Sequence, residues 1–360
     1  MCLYDPELGY YSRSAEQFGK AGDFYTSSDV HAVFGRLLAR QFEEMWRVLG
    51  SPSEIDILEL GPGRGLFAQD VLAWSEKKFP DFFGALTYVL AERSSTLTAR
   101  IKENLNSHFE LGKAKLAQHV TCARETQMFR PGIPAIVFAN EFFDALPVEI
   151  VNARGSLRIV EQEGKLAEAW APISEPELEF IEGYSVRPED GEQLEVPLAA
   201  QEYMNRIASG LSSGFMVAID YGYTRDEQLA GRHRGTLKAI RQHSISGSPY
   251  EAPGEQDITA DVNFTALAAA AEKNGMGTYK LVTQSQFLLG IGEANQFADA
   301  FEECRMAQER AKVAMQLKHL IAPEGMGESF RVIVASKGVD ERNAAELAGL
   351  SFGRVGPATD

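Results

Sequence analysis

Short apolar runs, each bounded by turn residues and most followed by a stretch of helical periodicity, organise this chain. The first, Ile55 to Leu60, lies between Ser51-Pro52-Ser53 and Gly61-Pro62-Gly63 and predicts a buried strand, followed by a helix from Leu66 to Lys77. The order repeats with a strand over Leu86 to Glu92 and a helix from Ser95 to Leu105. Ala135 to Ala139, Phe215 to Asp220, Tyr279 to Thr283 and Phe330 to Ala335 predict further strands. Parallel strands need crossovers, and crossovers are usually helices, so the alternation predicts an α/β fold with a doubly wound, mostly parallel sheet.

Two stretches break the alternation. Leu157 to Glu161 and Leu166 to Trp170, about Glu163-Gly164-Lys165, predict an inserted hairpin. Ala294 to Leu320 predicts one long amphipathic helix, with Phe297, Phe301, Met306 and Met315 in the core. The resulting division is an N-terminal lid and helical segment (1–50), a main domain (51–335) with insertions near 150–200 and 285–325, and a loosely held tail (336–360).

Composition narrows the function. The chain has 360 residues, 44% of them hydrophobic, enough for a large core. Lys and Arg number 35 against 51 Asp and Glu, a net charge of −16, which argues against a nucleic-acid partner. No apolar run is long enough to span a bilayer. Cys2, Cys122 and Cys304 form no C-x-x-C pair and the histidines no H-x-x-x-H pair, so no metal is expected. The absence of a visible leader points to the cytoplasm, or to the mitochondrial matrix after removal of a presequence. Arg225, Arg232, Arg234, Lys238, Arg241 and His243 form a basic cluster, read either as partners of surplus carboxylates or as a groove for an acidic stretch of protein.

Gly61-Pro62-Gly63-Arg64-Gly65 stands where an open sheet binds a nucleoside, and glycines there let the backbone approach a ligand. A dinucleotide fingerprint would need glycine at 66, which is Leu66. Glu59 opposes a pyrophosphate and suits an ammonium group. S-adenosylmethionine carries an ammonium and no phosphate. Glu92, closing the second strand, can accept both ribose hydroxyl protons. The expected cofactor ligands are thus Glu59, Gly61, Pro62, Gly63, Gly65 and Glu92.

Several segments together resemble one family. Tyr4-Asp-Pro-Glu-Leu-Gly-Tyr-Tyr11, Gly19-Lys-Ala-Gly-Asp-Phe-Tyr-Thr-Ser27, Leu58 to Gly65, Asn140-Glu-Phe-Phe-Asp-Ala-Leu-Pro147, Asp220-Tyr-Gly222, Arg234-Gly-Thr-Leu237 and Pro253 to Ala260 are similar to the MidA (DUF185) family of class I, Rossmann-like methyltransferases. That family includes a mitochondrial assembly factor for respiratory complex I. The resemblance implies a seven-stranded sheet with an antiparallel edge strand, and methylation of a protein arginine. It also implies an N-terminal lid whose Asp23 and Thr26 touch the cofactor. At Asp261 and Asn263 the chain departs from the His and Asp that the family leads one to expect.

Asn140-Glu141-Phe142-Phe143-Asp144 ends the fourth strand, at the edge where a methyl group would be transferred. Methyl transfer is an in-line displacement, so the protein mainly supplies alignment and an uncharged nucleophile. Asn140, there also a cofactor neighbour, can accept a hydrogen bond from the target nitrogen. Glu141 and Asp144 can orient a guanidinium and take its proton, Glu141 ranking first. A capping role for Asp144 and a core role for the phenylalanines is the plainer alternative. The rival functions are a non-catalytic assembly factor that binds the same cofactor, a nicotinamide-dependent oxidoreductase and a nucleic-acid methyltransferase.

Overall fold

The computed structural model describes residues 2–3, 5, 7–13, 32–117, 128–228, 232–241, 244–245, 248–293 and 295–352. The chain forms two compact units. One comprises Tyr25–Asn140, Gly210–Ile219 and Met276–Asp360, the other Met1–Phe24, Glu141–Ser209 and Asp220–Gly275.

The first unit is built on a sheet with strand order Gly277–Thr278, Phe330–Lys337, Gly214–Tyr223, Ala135–Asn140, Ile55–Leu60, Leu86–Ala91, Ala114–Leu116. Ile55–Leu60 is buried at every position, as a central parallel strand covered on both faces must be. It pairs in parallel with Leu86–Ala91 on one side and Ala135–Asn140 on the other. Its polar second residue, Asp56, is met by a bidentate Arg130 at 2.7 and 2.9 Å. Helix Ala32–Val48 buries Phe34 and Phe42 against Phe67, which stacks on Phe138 at 4.5 Å.

Three expectations in this unit are corrected. Tyr279 to Thr283 is not one strand: Gly277–Thr278 and Val282–Thr283 each pair antiparallel with Phe330–Lys337. Four residue steps from Thr278 to Val282 face three from Ala335 to Val332, so the extra residue forms a bulge. The late helix is broken into Ala298–Phe301 and Ala307–Ile321. Gln296 and Phe297, at φ 55° and 57°, keep the first piece from starting before Ala298. Leu317 and Leu320 carry the buried face, whereas Met306 and Met315 are exposed. Finally, the segment after Asp340 is held as far as residue 352. Leu347 is buried, and Ala348 and Gly349 donate backbone N–H groups to Glu44 and Gln41 of helix Ala32–Val48.

In the second unit the predicted hairpin is Gly155–Gln162 with Lys165–Ala171. It belongs to a four-stranded antiparallel sheet completed by Glu149–Asn152 and Leu194–Val196. Val151, Phe180, Ile181, Leu194, Val196 and Ala266 form its core. A three-stranded sheet sets Lys238–Arg241 between Ser244–Ile245 and Asp257–Thr259.

Candidate active site

In the sheet unit the strand Ile55–Leu60 runs into a turn in which Gly61, Gly63 and Gly65 all take positive φ, 64°, 54° and 76°. The turn closes with the Gly65 N–H on the Pro62 carbonyl at 2.8 Å. A Cβ on Gly65 would press on Leu105 and Ile101 at 3.2 and 3.3 Å, so this glycine serves helix packing. A Cβ on Gly63 would meet no protein atom within 4 Å. Gly63 therefore faces open space, where a ligand has room beside bare backbone. Pro62 is buried.

Glu92 follows the strand Leu86–Ala91 and accepts the Ser94 N–H at 2.8 Å, with the amides of Arg93 and Gly63 also bonded to its carboxylate. The second-strand carboxylate and the glycine turn are thus in direct contact. Burial pushes Glu92 up to about 7, against the pull of those amides. Glu59 is buried and accepts the Tyr88 hydroxyl at 3.0 Å. Burial raises it to about 8, Tyr88 lowering and the Glu92 charge reinforcing the rise. Two carboxylates that resist ionisation beside an open glycine turn are suited to a cationic nucleoside ligand, whose charge restores the ionised form. Asn140 ends its strand half-buried in this same unit, paired in register with Ile219. Asp23 and Thr26 lie outside the described residues.

The next residue of the chain, Glu141, begins the loop of the second unit. It has φ 51°, a left-handed conformation uncommon for a residue with a side chain. Phe142 is half-buried, edge-on to Phe143 at 5.4 Å and to Tyr203 at 5.1 Å, while Phe143 is buried. Asp144 is buried and its Oδ2 accepts both the Tyr221 and the Thr259 hydroxyls, the latter at 2.7 Å. Burial raises its carboxyl. Asp144 therefore stands in an interior network rather than capping a surface turn. The sequence marks Asp220 and Tyr221 as part of a family-like motif and Thr259, with Asp257, as site-adjacent without a role, but does not link them to Asp144, whose backbone N–H Asp220 also accepts. The available signal was positional, since Asp220 closes the apolar run of strand Gly214–Tyr223 as Asn140 closes that of Ala135–Asn140.

Other polar residues of this unit are accounted for by structure. Asn263 accepts the Ala266 N–H at 3.0 Å as a helix cap and donates to the Tyr184 carbonyl at 2.9 Å. Asp261 lies 3.5 Å from both His233 and Lys238. Arg234 pairs with Glu192, and Arg241 with Glu255 at 2.7 Å. The described basic residues that form ion pairs thus answer surplus carboxylates, as the plainer reading of that cluster expected; His243 lies outside the described residues. Asp257 accepts the Tyr11 hydroxyl at 2.8 Å, which ties the N-terminal motif to the Asp257–Thr259 strand.

A mostly parallel sheet in this order, with a glycine turn behind its central strand and an acidic residue closing the next, is the architecture of class I methyltransferases. Residues 37–282 match the model of a family of S-adenosyl-L-methionine-dependent methyltransferases, and the chain belongs to that family. It is 31% identical to the mitochondrial protein arginine methyltransferase NDUFAF7 homologue of Drosophila melanogaster, over 94% of this chain and 80% of that one. Against the NDUFAF7 of Homo sapiens it is 27% identical, over 91% and 76% respectively. Among solved structures, it resembles a superfamily member from Burkholderia thailandensis bound to S-adenosyl-homocysteine, with TM-score 0.79 and 26% identity over 98% of this chain and 88% of that one. S-adenosylmethionine is the cofactor of this enzyme family, as the glycine turn and Glu59 had led one to expect.

Proposed function

We propose that this enzyme methylates a nitrogen of an arginine side chain in a protein acceptor. The observation that carries the reading is the Glu141 backbone: a carboxylate-bearing residue held left-handed beside two aromatic rings, a strained arrangement of the kind kept at functional sites. The names of the relatives, protein arginine methyltransferases at 27–31% identity, support the choice of acceptor.

The open face at Gly63 and the Glu92 carboxylate on the Gly63 amide fit a bound nucleoside. Glu59, Gly61, Pro62, Gly63, Glu92 and Asn140 hold the cofactor, Glu92 at the ribose and Glu59 towards the ammonium end, while Gly65, packed against Leu105 and Ile101, shapes the turn that holds it. When bound, the cofactor supplies an electrophilic methyl group. Glu141 orients the acceptor guanidinium by charge-assisted hydrogen bonds and receives its proton. Asn140 accepts a hydrogen bond from the target nitrogen, and Phe142 packs on the acceptor. Asp144, whose charge is met by Tyr221 and Thr259, supports the loop from within.

A subunit of respiratory complex I is the first acceptor to test, and the search covers cytoplasmic and matrix proteins alike. The test is transfer of label from tritiated S-adenosylmethionine to proteins of a cell extract, with methylarginine identified by mass spectrometry. Wild type should label a discrete protein and Glu141→Gln should not, while both bind cofactor equally. Equal labelling by the two would overturn the role of Glu141, and labelled lysine or glutamine would overturn the acceptor.

A further inference from the structure

Asp220, on strand Gly214–Tyr223 and given no role above, accepts successive backbone amides of the loop that follows Asn140. Its Oδ2 accepts the backbone N–H groups of Phe142, Phe143 and Asp144 at 3.2, 3.0 and 3.3 Å. Its Oδ1 accepts the Tyr221 N–H at 3.0 Å. Three successive amides can converge on one oxygen only if the chain curls, and consecutive amides arranged in this way form an anion-binding nest. The curl begins at Glu141, with φ 51°. Here the anion is the protein's own side chain, almost wholly buried.

Burial and the neighbouring carboxylates of Asp144 and Glu141 push the Asp220 carboxyl up, against the pull of the amides. Asp144 has separate partners in Tyr221 and Thr259 and donates only its backbone amide to Asp220. A carboxylate set so close to two others is costly to bury, and apart from the amide of its neighbour Tyr221 its described bonds organise the backbone that follows Glu141.

We propose that Asp220 is the positioning residue of the Asn140–Asp144 loop: by gathering the amides of 142–144 it holds Glu141 in its left-handed conformation and so aims the carboxylate. This rests on the reading that Glu141 acts on the acceptor. Asp220 acts through Glu141, not on the substrate. Its loss should therefore lower turnover and leave cofactor binding in place.

The experiment compares wild type, Asp220→Ala, Asp220→Asn, Glu141→Gln and the double variant Asp220→Ala/Glu141→Gln as full chains. Two quantities are read: hydrogen exchange at amides 142–144, and tritium transfer from S-adenosylmethionine to a mixture of arginine-containing peptides. Asp220→Ala should expose the three amides and lower kcat on the order of 100-fold, the scale expected when a reacting group is misplaced by about 1 Å. The KM for S-adenosylmethionine should stay within about twofold. Formate, a free carboxylate able to enter the emptied nest, should restore protection and turnover where chloride does not. In the Glu141→Gln background the alanine change should cost nothing further in kcat, because residues acting as a unit are not additive. Asp220→Asn, which keeps the volume and one acceptor oxygen, should fall between wild type and alanine.

Wild-type exchange and turnover in Asp220→Asn and Asp220→Ala would overturn the proposal, as would an alanine variant that formate does not restore. Full turnover by Glu141→Gln would instead overturn the reading of Glu141, with the exchange measurements still deciding whether Asp220 holds the loop.

Discussion

Tyr88 donates its hydroxyl to Glu59 Oε2 at 3.0 Å, both side chains buried beneath the glycine turn. The bond joins the first two strands of the sheet through side chains, in addition to their backbone ladder.

The pairing has a pH signature. Glu59 lies at about 8 in the folded protein against an ordinary 4.5, so the folded state holds a proton that the unfolded chain releases. Through this group the ligand-free protein should lose stability as pH rises from 4.5 to 8, and Glu92, raised to about 7, acts in the same direction. A bound ammonium favours the ionised form, so cofactor binding at pH 7 should release protons. Calorimetry in two buffers of different ionisation enthalpy should give different heats, and Glu59→Gln should reduce the difference. Identical heats for the wild type would refute an ammonium beside Glu59.

Gly63→Val should fold yet fail to bind S-adenosylmethionine. At φ 54° the valine backbone is strained by roughly 1–3 kcal/mol, but its Cβ meets no protein atom. Gly112, at φ 69° and equally unencumbered, provides the control: Gly112→Val should lower the melting temperature similarly and bind normally. If both variants bind, the glycine turn is not the cofactor site.

Tyr221→Phe removes the hydroxyl that serves Asp144 and leaves Thr259 as the remaining side-chain donor to that carboxylate. The expected loss is about 1–3 kcal/mol, the cost of an under-satisfied buried acceptor. Urea denaturation measures it. A midpoint equal to wild type would mean that the network adds nothing to stability.

Asn263→Ala should cost about 1–2 kcal/mol through loss of the cap on helix Phe264–Lys273, with cofactor affinity unchanged. Asn263→Asp, the residue expected from the family resemblance, should keep the cap and lose only the bond to the Tyr184 carbonyl. Melting temperatures in the order wild type, aspartate, alanine would bear this out. A cofactor affinity that falls with Asn263→Ala would show instead that the residue serves binding.

Much of the sheet was legible because Ile55–Leu60, Ala135–Asn140 and Gly214–Tyr223 are apolar runs closed by glycine or polar turns, a signal that does not depend on distant contacts. Glu149–Asn152 and Leu194–Val196 were not, since strands of four and three residues are stabilised by partners rather than by local pattern. Met306 and Met315 misled because hydrophobicity alone does not say which face of a helix meets the core. For the candidate site, the contact of Glu92 with the glycine turn followed from the order of elements. Tyr88, Asp220 and Thr259 did not, because their partners lie 29, 76 to 78 and 115 residues away in sequence.

Among the described strands Phe330–Lys337 comes last in sequence, yet it sits between Gly214–Tyr223 and Gly277–Thr278 rather than at the sheet's margin. During translation the earlier strands can associate, but one side of Gly214–Tyr223 waits for residues near 337 to clear the ribosome. Until then the nascent chain displays an open row of peptide groups, the template on which unrelated chains add. Ribosome stalling within the preceding helices, or truncation before Phe330, should therefore yield aggregation or chaperone capture rather than a smaller soluble enzyme.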